Sequence, residues 1–201
     1  MLFAALFGDS LERVPFLGMG PAPVALGEGD EVLAPAAPLQ LALPDRATPI
    51  RLADGFTAAP SHQFRIEAVV LSRKRYRHDT EAAVSPLDFT LGWGPMSNPA
   101  VLSHLRVRQR GRFGYVSAGA EAPVDLGRLS PYWSNVHLVP ATPEIAADLD
   151  AVGAGQVVQM IGVLADVEGP DGFTWRSSTS RTDRGAGACE ILIVREVSVL
   201  R

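Results

Sequence analysis

Apolar and polar residues alternate along several stretches of the chain after Pro60. In residues 63–73, Phe64, Ile66, Ala68 and Val70 alternate with Arg65, Glu67 and others. A period of two residues is typical of a half-buried β-strand. The same reasoning predicts strands over residues 105–117, 133–139, 156–167, 173–179 and 190–200. The first of these ranges contains a predicted turn near Gly111.

Capping residues and turn residues predict the elements between these strands. Serine, threonine or asparagine followed by proline is typical of a helix start. This pattern predicts short helical turns after Ser85 and Asn98, the second over residues 100–105, and a helix over residues 144–152 after Thr142. Residues 169–172 (GPDG) predict a hairpin turn, and Gly162 predicts a bend within its strand.

Prolines and glycines are dense in the first sixty residues, where they disfavour both helices and inner strands. We expect an extended, partly disordered arm over residues 1–60, with at most one or two short edge strands such as 39–43. Residues 61–201 are expected to form one domain. Its five or six strands and intervening helix predict a mainly β fold, a small OB-like Greek-key barrel with short helices.

Composition limits the classes of protein that remain. The chain has 201 residues, of which 47% are hydrophobic, enough for a buried core. Its net charge of −4 argues against a surface built wholly for nucleic acid, although a local basic face is compatible with it. Residues 1–7 are apolar but too short to span a membrane, and no transmembrane segment is predicted elsewhere.

Arginines recur at every second position from 106 to 112. Arg106, Arg108, Arg110 and Arg112 are predicted to project from one face of a strand, and Arg73 and Arg75 belong to a second basic cluster. Arginine suits phosphate and carboxylate partners. An anionic docking face is one interpretation, and a merely solvated strand face is the other.

Residues 175–190 contain many hydrogen-bonding groups and glycines between two strands. Arg181 and Asp183 are candidate ligand-binding residues there, and Trp93 is a candidate aromatic contact. Cys189 with His137 is an alternative catalytic pair, because a thiolate needs a nearby base or cation. The ordinary interpretation of Cys189 is a small core residue.

No metal site or cofactor is predicted. The four histidines lack the spacing of metal ligands, and Gly92-Trp93-Gly94 lacks the lysine and helix of a phosphate loop.

Four segments carry a resemblance to a known family: residues 71–76 (LSRKRY), 85–97 (SPLDFTLGWGPMS), 134–141 (SNVHLVPA) and 175–190 (WRSSTSRTDRGAGACE). Over about residues 30–196 the chain resembles a family of uncharacterised bacterial proteins. Its members often have one N-terminal membrane helix and a globular part outside the cytoplasm. The resemblance implies an envelope location, periplasmic or associated with the inner membrane, and brings no activity; the sequence also leaves a cytoplasmic location open.

Three hypotheses of function follow. The first is a non-enzymatic binding module whose arginine-bearing strand face recognises an anionic ligand or protein, with nucleic acid allowed but not favoured. The second is a hydrolase or transferase that uses Cys189 and His137. The third is a scaffold that docks partners through its proline-rich arm.

Overall fold

The computed structural model describes residues 31–44, 47–181, 183, 185 and 187–201. Within this part of the chain the strands are β1 (Leu39–Ala42), β2 (Ile50–Arg51), β3 (Thr57–Arg75), β4 (Leu87–Gly92), β5 (Leu105–Arg110), β6 (Phe113–Ala118), β7 (Trp133–Pro140), β8 (Val157–Glu168), β9 (Thr174–Trp175) and β10 (Glu190–Val199). The α-helices are α1 (Pro99–Leu102), α2 (Leu126–Leu129) and α3 (Pro143–Ala151). The prediction of a mainly β fold with short helices is confirmed.

Five strands form a closed ring. The antiparallel pairs are β3 with β4, β4 with β7, β10 with β8, and β8 with β3, whereas β7 and β10 run parallel. Closure leaves these five strands without a free edge along the ring. Outside the ring, β1 and β2 pair with β3, β9 pairs with β8, and β5 and β6 form a separate hairpin.

The alternation in β3 fills the interior of the ring. Phe64, Ile66, Ala68 and Val70 are all buried in the main core, as their period of two predicts. The other four ring strands add apolar side chains at alternate positions, among them Phe89, Leu138, Met160 and Leu192. A second apolar cluster uses the opposite side chains of β8 and β10, including Val163 and Ile193.

Gly162 allows β8 to approach β10 closely. A Cβ atom at this position would lie 2.0 Å from the carbonyl oxygen of Ile193. The pairing register of β10 also shifts between Val194 and Glu196, next to the residue opposite Gly162. Gly162 is therefore required by close packing of backbone on backbone, and the bend predicted within β8 stays a prediction.

Several connections match their sequence signals. The Thr142 side chain accepts a hydrogen bond from the Ile145 N–H at the start of α3. Asn98 caps α1 in the same way, although this helix ends at Leu102. Gly111 has φ of +57° in the β5–β6 turn, where a left-handed residue is needed.

Two predicted elements were wrong. Ser85 and Pro86 start no helix: they precede β4, which pairs with β3 on one side and β7 on the other. The strand predicted over residues 173–179 is limited to Thr174–Trp175. It stops because the Ser177 N–H donates to the Asp166 carboxylate instead of a backbone carbonyl on β8.

The predicted arm lies partly outside the described residues. In its described part, residues 39–42 form the expected edge strand. The long strand β3 begins at Thr57 and contains Pro60, so it runs across the predicted boundary at residue 60. Pro60 is tolerated because the register of β3 against β8 shifts between Pro60 and His62. Among the helices that the structure describes, none is long and apolar enough to cross a membrane.

Candidate functional site

The β5–β6 hairpin packs near the outer face of β4 and β7, and that face is polar. Asp88, Thr90, Asn135 and His137 are all nearly inaccessible to solvent. Their neighbours along the strands point into the apolar core. Gly114 on β6 makes the close approach possible, because a Cβ there would lie 3.0 Å from the Thr90 hydroxyl oxygen and 3.2 Å from the Trp133 ring.

Asn135 links the hairpin to the ring of strands. Its Oδ1 accepts hydrogen bonds from the Thr90 hydroxyl (3.1 Å) and the Gln109 amide (2.8 Å), and its Nδ2 donates to the Arg112 carbonyl (3.1 Å). The Gln109 Oε1 accepts in turn from the Ser72 hydroxyl at 2.9 Å. Directional hydrogen bonds therefore help fix the position of the hairpin.

Arg112 is the main electrostatic anchor of the hairpin. Its Nε and Nη2 donate to the two oxygens of Asp79 at 2.9 and 2.7 Å, and Nη1 donates to Asp88 Oδ1 at 3.2 Å and to the Ser85 carbonyl at 2.8 Å. Its Cζ lies 3.8 Å from the centre of the Tyr76 ring. Arg112 therefore does not share the exposed face predicted for it, because the turn at Gly111 ends the alternation of β5.

These contacts shift the pKa values of two neighbouring groups. The hydrogen bonds from Arg112 lower the pKa of Asp79 below its usual value. Burial raises the pKa of Tyr76, and the negative charge of Asp88 adds to that effect. The Tyr76 hydroxyl stays protonated and donates to the Gly111 carbonyl at the tip of the hairpin.

His137 lies deep in this region. Its Nδ1 is 3.0 Å from Asp88 Oδ1, but the contact lacks hydrogen-bond geometry. Its ring lies 4.5 Å from that of Trp175, centre to centre. Within the described residues, no hydrogen bond or ring contact joins His137 to Cys189.

Cys189 contacts other groups. Its Sγ lies 3.7 Å from the Arg112 carbonyl oxygen and 4.0 Å from Asn135 Nδ2. Burial raises the pKa of the thiol to about 12, and the negative charge of Glu190 contributes. The thiol is therefore protonated at neutral pH, which weighs against its use as a nucleophile. The catalytic pair of Cys189 and His137 stays a prediction.

A cavity of about 470 Å³ opens between β6, the start of β7 and the segment that precedes β10. Aromatic rings and polar side chains share its walls. Its described lining includes Trp93, Phe113, Tyr115, Ser130, Trp133, Ser134, Asn135, Ser180, Arg181, Asp183, Cys189 and Glu190.

Arg181 and Glu190 form an ion pair at this cavity. Arg181 also donates to Gln40 Oε1 at 2.7 Å and lies 5.2 Å from the Phe64 ring and 5.9 Å from the Trp93 ring. Ser134 donates to the other oxygen of Glu190. Burial raises the pKa of Glu190, and the Arg181 charge opposes that shift.

Arg181, Asp183 and Trp93 all line this one cavity. Their separate positions in the sequence do not show that they come together. The Asp183 carboxylate accepts a hydrogen bond from the Ser178 hydroxyl at 2.6 Å. Trp93 is only 2% exposed, so it forms a wall and not a surface contact.

The remaining arginines of β5 lie on the solvent side of the hairpin. Arg106, Arg108 and Arg110 are exposed, and their direct partners across the hairpin are Ser117, Tyr115 and Phe113. None of the ion pairs among the described residues includes these three arginines. They form what we call the arginine row.

The second basic cluster has a different environment. Arg73 lies 3.7 Å from Asp150 on α3, and Arg75 pairs with the same carboxylate. The Lys74 ammonium lies 5.3 Å from the centre of the Tyr76 ring. This cluster is partly neutralised within the molecule.

Sequence reasoning missed Asp88, Asn135 and Gln109. Asp88 lies in the segment predicted as a helical turn after Ser85, and Gln109 and Asn135 are polar positions of predicted strands that no motif singled out. The sequence carried one signal, the alternation of Asp88 and Thr90 with Leu87, Phe89 and Leu91. A strand in the middle of a sheet is often covered on both faces, so its polar side chains are also buried.

The four segments that carry the family resemblance all reach this region. They contribute Tyr76, Asp88, Asn135 and Cys189, among other side chains. No family model, curated protein or solved structure matches the chain. Within the part of the chain that the structure describes, no group of three or more His, Cys, Asp or Glu side chains is placed to hold a metal ion.

Proposed function

We propose that this protein is a binding module built on an OB-like barrel, and that it recognises an anionic partner through the arginine row. The order of the ring supports the OB-like assignment. In chain order its strands are β3, β4, β7, β8 and β10, with β7 parallel to β10 and α3 between β7 and β8. Barrels of this type bind ligands with the face of their second and third strands and with nearby loops. Here the β5–β6 hairpin covers that face of β4 and β7, and the arginine row lies on the solvent side of the hairpin.

The observation that carries the proposal is the set of three exposed arginines without acidic partners among the described residues. A guanidinium that is free of internal ion pairs offers its full donor fork to phosphate or carboxylate. Three such groups on one side of one strand also produce a local positive potential on a protein of net charge −4.

The support of the hairpin strengthens this argument. The turn of the hairpin is held by Arg112, and its inner face by Gln109 and Asn135. The arginine row is therefore presented on a backbone that is fixed before any partner binds. A fixed surface loses less conformational entropy on binding than a mobile loop.

Binding of a long-chain inorganic polyphosphate at increasing salt tests this proposal. For the variant R106A/R108A/R110A we expect affinity at low salt to fall by roughly tenfold or more, and the slope of log affinity against log salt to decrease by about three. The control R51A/R176A/R201A removes the same charge from exposed positions elsewhere. Equal losses in both triple variants, or binding that does not depend on salt, would overturn the proposal.

A further inference from the structure

We infer that the anionic partner is a single-stranded nucleic acid, with its phosphates on the arginine row and one base in the cavity of about 470 Å³. This inference rests on the proposed function and specifies its ligand class. It joins two features that share two aromatic residues: the outer surface of the hairpin and the cavity beside it.

The spacing of the arginine row suits an extended phosphodiester strand. Arg106, Arg108 and Arg110 follow one another at two-residue steps on one side of β5, about 6.8 Å apart for an antiparallel strand. Consecutive phosphates of an extended single strand are separated by a similar distance. Each guanidinium therefore has a phosphate within reach when the strand runs along β5.

Two exposed aromatic rings lie beside this row. Tyr115 is 53% exposed and lies directly across from Arg108, and Phe113 is 38% exposed and lies across from Arg110. Exposed aromatic rings next to arginines are the usual platform for unpaired bases, because every base has a ring face that can stack. Both rings also border the cavity.

The charge of the cavity favours a base over a phosphate. Asp183 and Glu190 both line it, and among the described residues the arginine in its lining, Arg181, is already paired with Glu190. A phosphate would meet carboxylates there, whereas a neutral ring would meet Trp93 and Trp133. The same lining contains hydroxyl and carboxylate groups that can form hydrogen bonds with the edge of a base.

The size of the cavity is consistent with this assignment. Pockets for small organic ligands measure about 300–1,000 Å³, and this one falls within that range. A base that is stacked in a duplex has no free ring face. We therefore expect unpaired strands to bind and duplexes to bind only weakly.

The test compares oligothymidine with an abasic oligonucleotide of the same length and charge, at one salt concentration. We expect oligothymidine to bind at least about tenfold more tightly, and its binding to change tryptophan fluorescence because Trp93 and Trp133 line the cavity. Oligouridine is the matched RNA probe, and tighter binding of either single strand than of the abasic strand supports the inference.

The variant Tyr115→Ala is expected to lose about tenfold in affinity for oligothymidine and to bind the abasic strand unchanged. Leu41→Ala is the matched control, since Leu41 is 42% exposed on β1, in a different part of the fold. It should bind both strands as the wild type does.

Equal affinity for oligothymidine and the abasic strand would overturn the inference and leave the proposed function intact. The same holds if a duplex binds more tightly than the single strand, or if the protein binds vesicles of anionic phospholipid but no oligonucleotide. Failure to bind any polyanion, polyphosphate included, would overturn both.

Discussion

The arginine row on β5 and the arginines around the end of β3 look alike in the sequence and have different environments in the fold. Arg73 and Arg75 share the carboxylate of Asp150, and Arg112 reaches Asp79 and Asp88. Arg106, Arg108 and Arg110 have no such partner among the described residues. The first group is paired with carboxylates of the protein itself, whereas the arginine row is exposed.

The difference comes from long-range contacts. Asp150 lies on α3, more than seventy residues after Arg75 in the chain, and Asp79 lies more than thirty residues before Arg112. A run of arginines thus shows that basic side chains are close together, but whether they are neutralised depends on where distant carboxylates fold.

The largest effect is expected from Arg112→Ala. This change leaves the fully buried carboxylate of Asp88 without its guanidinium partner. We expect the free energy of unfolding to fall by about 3 kcal/mol, measured by urea denaturation. Arg110→Ala on the exposed face should change it by less than about 0.5 kcal/mol. Similar losses in the two variants would show that the distinction between the groups is wrong.

A smaller effect is expected from the pH dependence of stability. Arg112 lowers the pKa of Asp79 in the folded state. Asp79 therefore contributes stability at pH values above its unfolded pKa, and this contribution is lost as the pH falls through its folded pKa. Between pH 6 and pH 3 the wild type should lose more unfolding free energy than Asp79→Asn. Parallel curves for the two proteins would contradict the link to Arg112.

The smallest effect is expected from Asp150→Ala, which releases Arg73 and Arg75. Affinity for oligothymidine should rise by no more than about threefold, because the arginine row itself is unchanged and the released charges are screened by salt. Asp148→Ala on the same helix removes the same charge from an exposed position without an ion pair among the described residues. A rise of tenfold or more in Asp150→Ala alone would make the end of β3 a docking surface.

Much of the fold was predictable from local patterns. The alternation of β3, the caps of α1 and α3, the turn at Gly111 and the strand β10 all follow from residues close together in the sequence. The strand β4 was not predictable in this way. Ser85 and Pro86 resemble a helix start, and pairing with β3 and β7 overrides that signal.

The candidate site was less predictable than the fold. The pattern at positions 106–112 identified exposed arginines but also included Arg112, which the turn at Gly111 directs to buried carboxylates. The cavity combines Trp93, which follows β4, with residues of β6 and β7 and with the described residues between 180 and 190. Contacts between segments so distant in the chain depend on strand order, which no local pattern contains.

The most direct test of the binding face is a titration of isotope-labelled protein with oligothymidine, followed through the Nε–Hε signals of the arginine side chains by NMR. We predict that the signals of Arg106, Arg108 and Arg110 shift during the titration. The signals of Arg75 and Arg112 should stay where they are, because both side chains keep their internal carboxylate partners. Shifts at Arg75 without shifts in the arginine row would contradict the account.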